Sequence, residues 1–97
     1  MRIVSFAFIR EYILIHPNAD VALRDWHKKV QKSEWTCFQD IKHIFNSVDY
    51  VGKNRYVFNI KGNDYRLVAI IIFNSKKVYI RFIGTHKEYN KIDCSNI

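Results

Sequence analysis

The 97-residue sequence has few residues that interrupt or cross-link a chain: three glycines, one proline and two cysteines. So little glycine and proline argues against a disordered chain and against a flexible linker between domains. Cys37 and Cys94 show no CxxC spacing, and two cysteines are too few for a disulfide scaffold. We therefore expect a single domain over residues 1–97, in a reducing compartment.

The sequence also lacks a long hydrophobic run. The longest, residues 67–73, has seven residues, whereas a membrane-spanning helix needs about 20. The apolar stretch before Arg10 and Glu11 is too short for a secretory signal. These absences predict a soluble, cytoplasmic protein with no membrane partner.

Positive charge is abundant and unevenly distributed. The net charge is +7, and residues 1–51 carry seven Lys and Arg against six Asp and Glu. Residues 52–97 carry nine against three, so nearly all of the excess lies in the second half. A basic half that contains aromatic residues suggests that the protein binds a polyanion such as nucleic acid, or an acidic protein. A solvated basic surface without a ligand is the alternative.

The first half of the chain has the apolar spacing of helices after a short strand at residues 1–4. Ser5 should cap the first helix, and Pro17 should end it. The second helix should start at Asn18 or Asp20, and Thr36 with Gln39 has the capping-box spacing for the start of the third. The apolar stripes are Phe6, Ile9, Tyr12 and Ile13, then Leu23, Trp26 and Val30, then Phe38, Ile41, Ile44 and Phe45. Three helices should therefore present one apolar face each.

From Val48 the apolar period changes to two. Residues 55–61 alternate, Gly62-Asn63 is a two-residue hairpin turn, and residues 65–73 form the next strand. A second turn at 74–77 returns the chain as a strand at 78–83. Helices followed by such strands predict an α+β domain, with N-terminal helices packed on one face of an antiparallel β-meander.

The turns set the register of the sheet. With Gly62-Asn63 as the loop, Asn59 faces Arg66, and a second loop of two or four residues makes Arg66 face Thr85. A three-residue loop would break this row. The expected core face carries Tyr56, Phe58, Ile60, Tyr65, Leu67, Ala69, Ile71, Phe73, Val78, Ile80 and Phe82. The opposite face carries Arg55, Asn59, Lys61, Arg66, Tyr79 and Arg81.

The segment after the last strand reads Thr-His-Lys-Glu-Tyr. Thr85 and Glu88 have the spacing of a capping box, which would place His86 and Tyr89 on one side of a helical turn next to Arg66. An imidazole moves protons near neutral pH, and an arginine fork holds a phosphate. Together with Asn59, these groups suit metal-free RNA cleavage by a neighbouring 2′-hydroxyl. Binding without reaction is the alternative.

The remaining histidines and tryptophans predict no chemistry. His16 lies at a helix end, and His27 and His43 lie on solvated helix sides. We expect Trp26 and Trp35 to serve in core and helix-end packing rather than as stacking platforms. No His, Cys, Asp or Glu group has metal-ligand spacing and no glycine-rich phosphate loop is present, so we expect no metal and no cofactor.

Three stretches carry a family resemblance: VGKNRYVFNIKGNDYRLVAIIIF, VYIRFIGTHKEYNKID and, more loosely, HPNADVALRDWHKKV. They resemble the HigB-type toxins of bacterial toxin–antitoxin systems, in the RelE/ParE-like superfamily. The resemblance is densest from Asp40 to Asp93. It departs from the family pattern at Lys87, where alanine is common, and at Asn90, where aspartate is common.

The resemblance implies an mRNA endoribonuclease that often acts on the translating ribosome. It implies a helix-turn-helix antitoxin of the HigA type as partner, with operator DNA contacted only through that antitoxin. The family's catalytic Asn, Arg, His and Tyr correspond to Asn59, Arg66, His86 and Tyr89. We expect the RNA-binding residues to be Lys53, Arg55, Lys61, Arg81 and Lys87. A non-catalytic toxin that binds DNA gyrase, as in the ParE-like branch, is the alternative.

Overall fold

The computed structural model of the chain describes residues 1–93, 96 and 97; the expectation about Cys94 lies outside them. In chain order the elements are β1 (Arg2–Val4), α1 (Phe6–Ile15), α2 (Asp20–Lys32), α3 (Phe38–Ile44), β2 (Asp49–Tyr50), β3 (Arg55–Ile60), β4 (Tyr65–Ile72), β5 (Lys77–Thr85) and α4 (His86–Tyr89). A 3₁₀ turn at Pro17–Ala19 joins α1 to α2. No helix among the described residues is both long enough and apolar enough to cross a membrane.

The strands form one sheet in the order β1-β5-β4-β3-β2. Strands β2 to β5 are an antiparallel meander, and β1 pairs in parallel with β5. The predicted α+β class and meander are confirmed. The parallel position of β1 was not predicted, because three residues carry too little pattern to specify a partner strand.

One sheet face packs against the helices and forms the core. The helices contribute the predicted stripes: Ile9 and Ile13 from α1, Leu23, Trp26 and Val30 from α2, and Ile41 from α3. Trp26 is 1% exposed and stands edge-on to Phe58 with ring centroids 5.4 Å apart. Each such fully buried side chain contributes about 1.5–3 kcal/mol. The core positions of Trp26 and Trp35 are confirmed.

Ser5 is the N-cap residue of α1, as predicted, whereas the predicted Thr36 cap of α3 is wrong. Ser5 has left-handed backbone geometry, with φ 75°, and its side chain makes no capping hydrogen bond. The N-cap of α3 is Cys37 rather than Thr36. Thr36 instead donates from its backbone N–H and its hydroxyl to Asp40, at 2.9 and 3.0 Å, because an aspartate in the first helical turn is the better acceptor.

The first hairpin keeps the predicted register but has a longer turn. Asn59 faces Arg66, as predicted, and pairing ends at Ile60 with Tyr65. The connection therefore spans residues 61–64 rather than Gly62-Asn63 alone. Lys61 and Gly62 both take positive φ, at 53° and 65°. The chain therefore begins to turn at Lys61, one residue before the predicted loop.

In the second hairpin, the register between β4 and β5 differs from the predicted one. Ile72 pairs with Lys77, so the connection is residues 73–76 instead of the predicted 74–77, and Ile70 faces Tyr79. The register then shifts between Val68 and Ala69. Ala69 faces Ile80 and Val68 faces Phe82, which leaves Arg81 as an extra, exposed residue in a β-bulge.

The bulge reverses the alternation of side chains along the end of β5. Ile83, 6% exposed, joins the core in place of the predicted Phe82. Arg66 faces Gly84, and the predicted partner Thr85 faces Tyr65 instead. A bulge is set by how two strands pair, so alternation within one strand did not reveal it.

Candidate functional site

The candidate site is centred on Arg66, in the middle strand of the meander and on the sheet face away from the helices. Asn59 and Gly84 flank it in the neighbouring strands. A Cβ on Gly84 would lie 2.5 Å from the ring of Phe82 and 3.1 Å from a carboxylate oxygen of Glu88. A side chain at position 84 would therefore require the Phe82 ring and the Glu88 carboxylate to move.

The short helix α4 begins directly after this row with a complete capping box. The Glu88 carboxylate accepts from the Thr85 backbone N–H at 2.8 Å, and the Glu88 backbone N–H donates to the Thr85 hydroxyl at 3.2 Å. The bond from the Thr85 N–H is the main reason that the pKa of Glu88 lies below its usual value. The predicted Thr85–Glu88 cap is confirmed, and it fixes the start of α4.

The cap brings Tyr89 to Arg66. The guanidinium carbon of Arg66 lies 5.9 Å from the ring centroid of Tyr89, within the range of a cation–π contact. Arg66 also donates weakly to the backbone oxygens of Asn63 and Tyr65, at 3.4 and 3.5 Å. Within the part of the chain that the structure describes it forms no salt bridge. Its charge is therefore not neutralised by a carboxylate.

His86 begins α4, and its ring is exposed. Its backbone N–H donates to the Asp64 carbonyl oxygen at 3.3 Å, in the same 61–64 turn whose Asn63 contacts Arg66. One turn thus holds the backbone of His86 and the guanidinium of Arg66. The structure brings Arg66, Tyr89 and the start of α4 together, with Asn59 beside Arg66 in the sheet.

A second cluster, of aromatic and histidine side chains near Glu88 of α4, was not predicted from the sequence. Tyr12 stacks on His16 with ring centroids 4.3 Å apart, and both rings stand edge-on to Tyr65. Burial raises the pKa of Tyr12 to about 12, with the charge of Glu88 as a further cause. His16 in turn lowers the pKa of Glu88. The Tyr-x₃-His spacing on α1 could have predicted the contact between Tyr12 and His16, since residues four apart share one helix face.

The five predicted RNA-binding residues divide into two groups. Lys61, Arg81 and Lys87 are exposed. Arg55 instead donates to the carbonyl oxygen of Ile97 at 2.7 Å, and Lys53 lies 3.4 Å from the side chain of Asn96. Lys53 is also exposed, and Arg55 is half-buried. Because Lys61, Arg81 and Lys87 make no such side-chain contact with the described residues, they are the better candidates for phosphate contacts.

The other histidines lie away from the site. His27 packs against Phe6 with ring centroids 4.4 Å apart, so it is not on a solvated side as predicted. Burial is the main reason that its pKa lies below the usual value. His43 is exposed, next to Gln39 on α3. Among residues 1–93, 96 and 97, no three His, Cys, Asp or Glu side chains cluster as metal ligands.

Residues 19–92 match the family model HigB_toxin, described as the RelE-like toxic component of a toxin–antitoxin system. The match covers most of the chain, including every element of the candidate site. The chain belongs to the HigB toxin family. The predicted family is thereby confirmed.

Individual relatives are similar over different lengths. The mRNA interferase toxin HigB of Escherichia coli K12 is 47% identical over 55 residues, which cover 54% of this chain and 52% of that protein. The mRNA interferase HigB of Escherichia coli O6:H1 is 28% identical over 94 residues, 95% of this chain and 91% of that protein. The chain thus matches about half the length of the first relative and most of the second.

Proposed function

We propose that this HigB family member is an mRNA endoribonuclease whose site is formed by Arg66, His86, Tyr89 and Asn59. The observation that carries the proposal is the guanidinium of Arg66, which forms no salt bridge with the residues that the structure describes, is half-buried on a basic sheet and is held against Tyr89 at 5.9 Å. A guanidinium without a carboxylate partner is a strong donor for a phosphate. Relatives named as mRNA interferases support RNA as the substrate.

The proposed reaction uses the substrate's own nucleophile. The 2′-hydroxyl oxygen attacks the adjacent phosphorus, the O2′–P bond forms and the P–O5′ bond breaks. The products are a 2′,3′-cyclic phosphate and a 5′-hydroxyl end. Arg66 stabilises the charge that develops on the phosphoryl oxygens. His86 serves as a proton-transfer group between the 2′-hydroxyl and the leaving O5′. Because these side chains supply both roles, the reaction needs no metal.

RNA binding follows from the exposed basic side chains. Lys61 on the 61–64 turn and Lys87 on α4 flank Arg66 along the chain, and Arg81 protrudes at the bulge of β5. Positive charges on both sides of the reacting phosphate would guide a single strand across the site. The expected setting is a transcript on the ribosome.

The toxin–antitoxin family also supports a cognate antitoxin as partner. We propose a helix-turn-helix protein of the HigA type, which would also provide any contact with operator DNA. Co-expression with the product of a neighbouring gene should relieve growth arrest by this chain.

The test is cleavage of a defined mRNA by the purified chain, on ribosomes and in their absence, with a chelator added to the ribosome-free reactions only. We expect fragments with 2′,3′-cyclic phosphate and 5′-hydroxyl ends, and an unchanged rate with chelator. Intact transcripts in growth-arrested cells, together with inhibited DNA supercoiling, would overturn the nuclease and favour the gyrase-binding alternative.

A further inference from the structure

The second cluster joins α1 to β4 near the start of α4. Tyr12 stacks on His16 with ring centroids 4.3 Å apart, and both rings stand edge-on to Tyr65 of β4, at 6.0 and 6.1 Å. The Tyr65 hydroxyl also donates to the side-chain oxygen of Asn18, in the 3₁₀ turn, at 2.6 Å. Aromatic rings attract one another in these arrangements. The Tyr65 side chain is therefore held by three contacts.

Tyr65 connects this cluster to both parts of the proposed site. It precedes Arg66 in β4, and its backbone oxygen accepts weakly from the Arg66 guanidinium at 3.5 Å. Its partner in β5 is Thr85, the N-cap residue of α4. Paired residues lie on the same face of a sheet, whereas neighbours along a strand lie on opposite faces. The cluster therefore lies on the helix-covered face, beside the cap of α4, and Arg66 lies on the other face.

His16 brings a positive charge to the helix-covered side of this cap. The Glu88 carboxylate accepts from the Thr85 N–H, which is the main reason that its pKa lies below the usual value. The charges of His16 and Lys91 lower this pKa further. On α1, burial raises the pKa of Tyr12 to about 12, with the charge of Glu88 as a further cause. The imidazolium of His16 and the Thr85 N–H thus attract the same carboxylate, one from α1 and the other from β5.

We propose that His16 is a positioning residue for RNA cleavage, because its imidazolium attracts the Glu88 carboxylate and so fixes α4 against α1. The helix α4 carries His86 and Tyr89, which the proposed function assigns to the reaction, and this inference rests on that function. The rings of the cluster hold the imidazole in place. His16 acts through Glu88 and contacts no RNA. Since Glu88 is exposed, solvent screens the attraction, and the expected effect on the rate is small.

Two substitutions separate the charge of His16 from its ring. His16→Phe keeps a ring that can stack on Tyr12 but removes the charge, and His16→Lys keeps a charge but removes the ring. The matched control is His27→Phe, because His27 is also half-buried and packs on the Phe6 ring at 4.4 Å, in a contact that involves no residue of the cluster. A role in packing alone would be preserved in His16→Phe, whereas a role of the charge would be lost.

The first test follows the titration of the Glu88 carboxyl group in the full chain by NMR. An ordinary histidine is charged in the pH range in which carboxyl groups titrate. The pKa of Glu88 should therefore rise in His16→Phe, stay close to the wild-type value in His16→Lys and remain unchanged in His27→Phe. An unchanged pKa in His16→Phe would overturn the proposal, and so would an equal rise in His27→Phe.

The second test measures single-turnover cleavage with saturating RNA at about pH 6, where an ordinary histidine is mostly charged. His16→Phe should lower the rate about two- to fivefold, the range for an exposed ion pair, with no change in RNA affinity. His16→Lys should recover most of the loss, and His27→Phe should cleave at the wild-type rate. In a Glu88→Gln background His16→Phe should cost nothing further, because the partner charge is already absent. An equal loss in that background would overturn the proposal.

The two tests distinguish this inference from the nuclease itself. Wild-type cleavage by folded His16→Phe would overturn the positioning role and leave the nuclease intact. A wild-type chain that cuts no RNA would overturn the nuclease and the positioning role with it, while a Glu88 pKa that still rises in His16→Phe would retain the contact between α1 and α4.

Discussion

The guanidinium of Arg66 lies over the ring of Tyr89, 5.9 Å from its centroid, although the two residues belong to different elements. The contact exists because the Thr85–Glu88 box begins α4 directly after β5. A cation held against an aromatic face keeps its N–H groups, at the rim of the planar fork, available to an anion. This arrangement orients Arg66 without neutralising it.

Arg66→Ala should lower the rate of RNA cleavage by about 10²–10³-fold, because it removes the charge that stabilises the reacting phosphate. Arg66→Lys should recover only part of this loss, since an ammonium cannot replace a bidentate fork. Tyr89→Leu should lower the rate by removing the ring that orients Arg66, and Tyr89→Phe should cost less. Single-turnover cleavage of a short RNA measures each effect.

The control for Arg66 is Arg10→Ala, which removes a similar arginine–aromatic contact, 5.7 Å from the Phe6 ring on α1. Its cleavage rate should stay at the wild-type value. A wild-type rate for folded Arg66→Ala would exclude Arg66 from the reaction.

His86→Ala should reduce cleavage by about 10²–10⁴-fold, the usual contribution of a general acid or base. The ring is exposed, so the thermal midpoint and binding to the antitoxin should remain unchanged. His43→Ala, at an exposed histidine on α3, serves as the control and should cleave normally. If His86→Ala cuts at the normal rate, the THKEY segment is only a helix cap.

Lys61→Ala and Lys87→Ala should weaken RNA binding mainly through lost phosphate contacts. Each change should flatten the slope of log K against log salt by roughly 0.7 for a single strand. Lys28→Ala, at an exposed position on α2, should leave the slope unchanged. If the slope is the same after Lys61 and Lys87 are both replaced, RNA binds elsewhere.

The spacing of apolar residues along the chain predicted the helices and strands of the fold. The features that it did not predict depend on contacts between residues distant in sequence. The apolar spacing placed Trp26 in the core, and the alternation of β3 and β4 placed Asn59 opposite Arg66. The Arg81 bulge depends on how β4 and β5 pair, and it turns Phe82 out of the predicted core face. The sequence of β5 alone did not predict this change. His16 is at the end of α1, as predicted. Its contacts with Tyr65 and Glu88 were not predicted, because these residues are distant from it in sequence.

The Thr85–Glu88 box should make the placement of α4 sensitive to acid. The hydrogen bond from the Thr85 N–H lowers the pKa of Glu88, so its stabilising effect is complete above the unfolded value and is lost as the pH falls through the folded value. As the pH falls from about 5, the wild-type melting midpoint should therefore fall more than that of Glu88→Gln, whose amide still caps but does not titrate.

The control for the acid sensitivity is Glu11→Gln, which removes an exposed carboxylate on α1 that caps no helix. It should follow the wild type across the same pH range. Parallel melting curves for the wild type and Glu88→Gln would show that the box contributes nothing through its charge.

Gly84→Ala tests whether the close packing beside Arg66 positions α4. The new methyl group would lie 2.5 Å from the Phe82 ring and 3.1 Å from the Glu88 carboxylate, so both must move. Overpacking of this kind costs about 1–3 kcal/mol. Because Glu88 caps α4, its displacement should also shift His86 and lower the cleavage rate. Thermal unfolding and single-turnover cleavage would measure the two losses separately.

The double variant Gly84→Ala with Phe82→Leu separates packing from backbone effects. Leucine removes the ring atoms that meet the methyl group, so the double variant should regain most of the stability that Gly84→Ala loses, relative to Phe82→Leu alone. Cleavage should recover with it if displaced packing caused the loss. Wild-type stability and rate in Gly84→Ala alone would show that the ring and the carboxylate move without cost, and that α4 does not depend on this contact.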